Sequence, residues 1–241
     1  MLKMPPVFVF SPTLEHYYNS VFNSRLPTWA WNSIIVAGSA TLLTVGVGTI
    51  GSYGLARFNF RGRDTIAISI LFTYLFPPIL LLIPLYVLMY DLRLVNTLAS
   101  LVICYQSFTI PFFIWFMRSY FTTLPVDVEE QGLVDGCSIG QVFLRITIPI
   151  ASPGMAAGAL LSFANSYMEY LFAFVMMNSR GLFTLPVGLS LYAQTAVVGG
   201  GYVSWGDVMG ASLLASIPVV ILFFALQKYL VTGLTAGAIK G

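Results

Sequence analysis

Five stretches of about 20 residues carry no charged side chain, and a run of that length closes as a helix across the hydrocarbon core of a bilayer. They are Ile34 to Ala56, Thr65 to Met89, Leu94 to Met117, Ile148 to Met168 continuing past Glu169 to Met177, and Val208 to Gln227. Only 8% of the 241 residues are charged, against roughly a quarter in a soluble domain. The predicted fold is therefore an all-α integral membrane protein, a polytopic transmembrane helix bundle of five spans forming one domain over residues 1–241. A sixth uncharged run, Gly181 to Gly206, is long enough, but Pro186, Gln194 and Gly199-Gly200-Gly201 mark it as a loop or re-entrant segment. The start of the chain, with Pro5 and Pro6 and no apolar core after them, does not read as a cleavable signal.

Basic residues prefer the cytoplasmic loops. With the N-terminus outside, Arg57, Arg61, Arg63, Arg118, Arg145, Lys228 and Lys240 fall inside, and Lys3, Arg25, Arg93 and Arg180 outside. This predicts an outer segment over 1–32 and spans at about 33–56, 65–89, 94–117, 148–177 and 207–227. Residues 118–147 form a cytoplasmic loop, 178–206 an outer loop and 228–241 a cytoplasmic tail. Counting 181–206 as a span would move Lys228 and Lys240 outside and erase the bias.

Several chemistries are disfavoured. A net charge of +2 with scattered basic residues suggests no nucleic acid partner. His16 is the only histidine, and no Cys/His/Asp spacing suits a metal. Cys104 and Cys137 read as free thiols. No His/Asp/Ser constellation lies within the spans, which argues against an enzyme. None of Lys3, Lys228 and Lys240 sits in a phosphate-binding Gly-x-x-x-x-Gly-Lys loop, so ATP hydrolysis would have to come from another chain.

The most polar stretch, "EEQGLVDGCSIGQVFLRITIPIASPG" at 129–154, holds three of the nine carboxylates. Pro125 in a first-turn position with Asp127, Glu129 and Glu130 behind it predicts a short helix whose positive end meets the acids. It stops at Asp135-Gly136, a turn dipeptide, and Ser138 with Gln141 makes a capping box for a second helix leading into the fourth span. A solvated connection would account for the charge. Val126, Val128, Leu133 and Val134 point instead to an amphipathic element covered by a partner.

The spacing in this stretch resembles the EAA loop of ABC importer permeases, whose pattern is Glu-Ala-Ala, two residues, Asp-Gly-Ala, then an apolar-Pro and a further Pro. Glu130, Asp135, Gly136, Ile146, Pro149 and Pro153 match it, while Gln131, Gly132 and Cys137 replace the alanines. "NSIIVAGSATLLTVGVGTIGSYGLARFNFRG", "EYLFA" and the ending "LQKYLVTGLTAGAIKG" are similar to permeases of the carbohydrate importer group, of the maltose type. The resemblance covers the chain from about residue 12 onward.

It implies a permease subunit in a bacterial or archaeal inner membrane. There it pairs with a second permease around a carbohydrate pathway, sits on two ATPase subunits and is served by an extracytoplasmic binding protein. ATP and Mg would belong to the ATPases, with no cofactor in this chain. Glu130, Asp135, Gly136 and Pro149 would couple to the ATPase, Glu130 by pairing with a basic group, and Gly233, Gly237 and Lys240 would form a tail contact. Members of the group usually begin with an additional span, so either the true start lies upstream or this is a five-span variant.

Within the fourth span, an ionisable Glu169 is by default a functional candidate. A structural carboxyl is the equal alternative. Asn165, Tyr167, Glu169 and Tyr170 are the expected pathway residues, with Asn165 and Glu169 sharing a helix face. Pro77, Pro78 and Pro84 interrupt the second span, as a packing kink or near a gate. Gly46, Gly48, Gly51 and Gly54 read as packing positions. A self-contained secondary transporter or channel is the alternative function, without support from an internal repeat.

Overall fold

The computed structural model describes residues 13–198 and 204–238, with 196–198 and 228–238 as backbone alone. A short helix α1 (Glu15–Phe22) leads into α2 (Leu26–Arg57), followed by α3 (Arg63–Leu75), α4 (Pro78–Asp91) and α5 (Leu98–Thr123). Two small helices, α6 (Asp127–Val134) and α7 (Ile139–Val142), precede a π-helical turn (Phe143–Thr147) and α8 (Ile148–Tyr167). The chain continues through α9 (Leu171–Met176), α10 (Leu185–Val198) and α11 (Trp205–Ala238). No strand occurs among the described residues.

Among the described residues, four continuous helices are long and apolar enough to cross a membrane: α2, α5, the run Ile139–Tyr167 and the Trp205–Gln227 portion of α11. The fifth expected span is a pair. Helices α3 and α4 are long enough to cross only as a pair, and the pair is bent by 93°. Phe76, forced out of the α region by the following proline, takes φ −70° and ψ 127°, and Pro77 and Pro78 supply no N–H to continue the ladder. Pro84 stays inside α4.

Two expected boundaries need correction, and a third segment, expected as a loop or re-entrant stretch, is more regular than a loop. The first spanning helix starts at Leu26 rather than near residue 33, because Pro27 sits in its first turn where a missing N–H is harmless. The fourth span does not run unbroken from 148 to 177: α8 ends at Tyr167 and α9 begins only at Leu171. The segment read as an outer loop contains α10, 14 residues long and thus about 21 Å, too short to span. Its entry is tied to the start of α2, where Trp29 Nε1 donates to the Arg180 carbonyl at 2.8 Å and Ser33 Oγ accepts from Leu185 N at 2.7 Å. Asn32 Nδ2 donates to the carbonyls of Gly181 and Phe183. The triplet Gly199-Gly200-Gly201 lies outside the described residues.

Helices α2, α5 and α8 form the centre. A Cβ at Gly48 would stand 2.5 Å from Phe113 Cδ1, and one at Gly158 2.8 Å from Phe113 Cε2, so both neighbours close on that ring only as glycine. Gly51 approaches Ile114, whereas Gly46 and Gly54 meet nothing within 4 Å; half of the expected glycine stripe is packing. Across the same seam Thr44 Oγ1 donates to Gln106 Oε1 at 3.0 Å and lies 2.7 Å from Thr109 Oγ1, which locks α2 and α5 in register without an unmatched hydroxyl at Thr44. At one end, α1 is held to the start of α11, with His16 Nδ1 2.9 Å from Asp207 Oδ1 and Ser20 Oγ donating to the Asp207 carbonyl. The opposite end carries α6 and α7.

Candidate functional site

Helix α6 opens after Pro125 with Asp127, Glu129 and Glu130 in its first turn, where carboxylates face the free N–H groups and the positive end of the dipole. It closes in a Schellman motif: Cys137 N donates to the Gly132 carbonyl at 3.0 Å, Gly136 N to that of Leu133 at 3.1 Å, and Gly136 adopts φ 89°. The capping box forms as the sequence predicts, with Ser138 N donating to Gln141 Oε1 at 2.8 Å and Gln141 N to Ser138 Oγ at 3.4 Å. Gly132, where the EAA pattern has alanine, lies so near Val142 and Ile146 that a Cβ would come within 2.5 Å of Ile146 Cδ1. The mobile end of that isoleucine is what an alanine would displace.

The three acids divide by role. Glu130 and Asp135, like Gly136 and Pro149, are exposed, whereas Glu129 is buried. Arg57 Nε donates to both Glu129 oxygens at 3.1 Å and its Nη2 to Oε1 at 3.0 Å, with a further bond to the Leu124 carbonyl at 3.3 Å. Tyr53 adds its hydroxyl to Oε2 at 3.2 Å. This fork-to-carboxylate geometry is the strong form of an ion pair. Sequence reading missed it, because Arg57 and Glu129 stand 72 residues apart and the only signal was an arginine at the end of a span. Beside the acids, Val126, Val128, Leu133, Val134, Ile139 and Leu144 are exposed, Val134 to 87%.

At the far end of α8 the four expected pathway residues separate. Glu169 does not share a helix face with Asn165, because the helix has ended; its carboxylate turns inward and accepts from Phe172 N at 2.8 Å and Ala173 N at 3.2 Å, capping α9. Tyr167 is buried, its hydroxyl donating to the Ala215 carbonyl on α11 at 3.0 Å. Asn165 and Tyr170 stay at the surface, and the Tyr170 hydroxyl lies 3.3 Å from Ser190 Oγ on α10. Gly233 and Gly237 fall in the backbone of α11, and Lys240 lies outside the described residues.

A multi-span helical bundle with a helix–turn–helix at one end, its apolar side chains partly uncovered, defines a polytopic membrane protein. Residues 40–236 match the family described as the binding-protein-dependent transport system inner membrane component, and the chain belongs to it, as a permease subunit of an ABC importer. It is 36% identical to the trehalose/maltose transport system permease protein MalG of Thermococcus litoralis, over 98% of this chain and 84% of that one. To the inner membrane ABC transporter permease protein YcjP of Escherichia coli it is also 36% identical, over 95% and 81%. Its fold matches that in a crystal structure of a bacterial ABC transporter involved in import of the polysaccharide alginate, with a TM-score of 0.71 at 24% identity, covering 89% of this chain and 79% of that one.

Proposed function

We propose that this chain and a second permease line the passage for a carbohydrate across the inner membrane. One of two ATPase subunits docks on α6, the two ATPases hold the ATP and Mg, and an extracytoplasmic binding protein delivers the sugar at the opposite end. The chain itself acts as a permease and not as an enzyme. The observation that carries this reading is the coupling segment: an internally anchored helix showing Glu130, Asp135 and uncovered apolar side chains, aimed by the turn at Gly136. An exposed acid on such a helix can meet a basic group in an ATPase cleft, where desolvation makes the pair count. The carbohydrate class is supported by the trehalose/maltose relative and by Asn165 and Tyr170, a hydrogen-bonding amide and an aromatic ring at the surface near the break after α8.

The test is co-expression with the cognate ATPase and measurement of how much stays bound through detergent purification. The expected result is retention by the unaltered chain and a several-fold loss in Glu130→Ala, with Asp127→Ala nearer the unaltered level. A chain that never retains an ATPase contradicts the reading.

Orientation follows from the basic residues: the α6 end is cytoplasmic, together with the C-terminus, and residue 13 lies outside. In a Cys137→Ala background, Leu92→Cys is expected to react with an impermeant thiol reagent from outside and Arg61→Cys not to react. Labelling of position 61 in sealed cells would reverse the orientation.

A further inference from the structure

We propose that the Arg57–Glu129 pair is the drive link of this subunit, through which α6 and the α2–α5 pair move as one body while α8 bends relative to them. The inference rests on the reading of α6 as the ATPase-docking helix. Two connections leave α6, and they differ physically. Toward α2, the Arg57 guanidinium makes three bonds to the Glu129 carboxylate and one to the Leu124 carbonyl, both side chains being 10% exposed. Tyr53, bonded to the same carboxylate, is wedged between Phe121 of α5 and Phe143, with ring centroids 5.7 and 4.7 Å away. A planar fork held at several points resists rotation as well as separation. The Thr44–Gln106–Thr109 bonds extend that rigidity into α5.

Toward α8, the path runs through the four residues of α7 and the π-helical turn Phe143–Thr147. A π turn interrupts the regular i to i−4 ladder and is a place where helices deform. Force applied to α6 is delivered through the fork to α2 and α5, whereas Phe143 on Tyr53 and Ile146 on Gly132 are apolar contacts without directional bonds, which let the π turn yield in α8. Coupling between two ends of a protein is reciprocal, so the same link carries the signal of a docked binding protein down to the ATPases. Arg57 is a positioning residue in this scheme, acting through α6.

The experiment uses the intact importer with its ATPases and binding protein, in a Cys137→Ala background. Spin labels are placed at Val134 with Leu42, both strongly exposed, and at Val134 with Leu161. Distances are compared without nucleotide and after trapping with ATP, Mg and vanadate. The 134–42 distance is expected to stay constant while the 134–161 distance shifts. With Arg57→Lys, which keeps the charge but loses the fork, the 134–42 distance is expected to change on trapping. Stimulation of ATP hydrolysis by the binding protein should then be largely lost, with basal hydrolysis close to that of the unaltered importer. A shift in the 134–42 distance of the unaltered importer overturns the proposal without any Arg57 variant being needed. So does full stimulation in Arg57→Lys. Failure of the ATPases to co-purify with the unaltered chain instead contradicts the docking reading on which the proposal rests.

Discussion

Gly136→Val is expected to reduce transport by tenfold or more while the subunit still inserts and accumulates in the membrane. Gly136 sits at φ 89°, and a Cβ added there would meet nothing within 4 Å, so the effect is one of backbone conformation and not of a clash. A β-branched residue in this region is disfavoured by about 1–2 kcal/mol or more, which a local turn relieves by changing its dihedrals. The Schellman bonds from Gly136 and Cys137 then break, and α6 changes its angle to α7. The spans themselves are untouched, which is why insertion survives. Gly136→Asn is the matching control, because asparagine tolerates positive φ and should keep most of the transport. Membrane levels, ATPase retention and uptake measured on all three proteins decide the matter. Equal uptake by Gly136→Val and the unaltered protein would leave the turn without a mechanical role.

Local chemistry was the legible part of this molecule. The capping box at Ser138 and Gln141, the glycine turn after Asp135 and the acidic first turn of α6 depend on residues within a few positions of one another, and the sequence reading matches the structure there. Three of the apolar runs likewise become single long helices, α2, α5 and α11, whereas the Thr65–Met89 run breaks at Phe76 and the fourth ends at Tyr167. What could not be read were pairings across distance. Glu129 and Glu130 are adjacent acids in the sequence, yet one turns in to Arg57 and the other faces out, because consecutive residues on a helix lie about 100° apart and only packing says which side is covered. Helix α10 was hidden for a related reason: Pro186 signals a break when read inside a run and a start when it stands in a first turn. The end of α8 at Tyr167 carries no proline or glycine at all. It is set by the Glu169 carboxylate capping the next helix, an interaction that spacing alone presents equally well as an i, i+4 pair with Asn165.

That geometry makes opposite demands on two neighbouring residues, and Glu169→Ala and Asn165→Ala are expected to fail differently. Removing the Glu169 carboxylate leaves the Phe172 and Ala173 amides without their acceptor inside the protein, at about 1–3 kcal/mol for each buried group left unmatched. Helix α9 has only six residues, too few to hold together without its cap, and its Phe172, Ala173 and Met176 are buried in the core formed with Tyr105 and Cys104. The expected outcome for Glu169→Ala is a lower melting temperature of the purified complex, by several degrees, together with loss of uptake. Glu169→Gln retains one acceptor oxygen and should fall between. Asn165 stands at an exposed position of α8 near Leu161, so truncating it removes no core contact. Asn165→Ala should leave the melting temperature within about a degree, since surface substitutions usually stay within about 0.5 kcal/mol, yet lower sugar uptake several-fold if that face borders the passage. Thermal unfolding and uptake are measured on the same preparations. Unchanged stability with lost uptake in Glu169→Ala would return that carboxylate to the passage, and normal uptake in Asn165→Ala would turn the α8 face toward lipid.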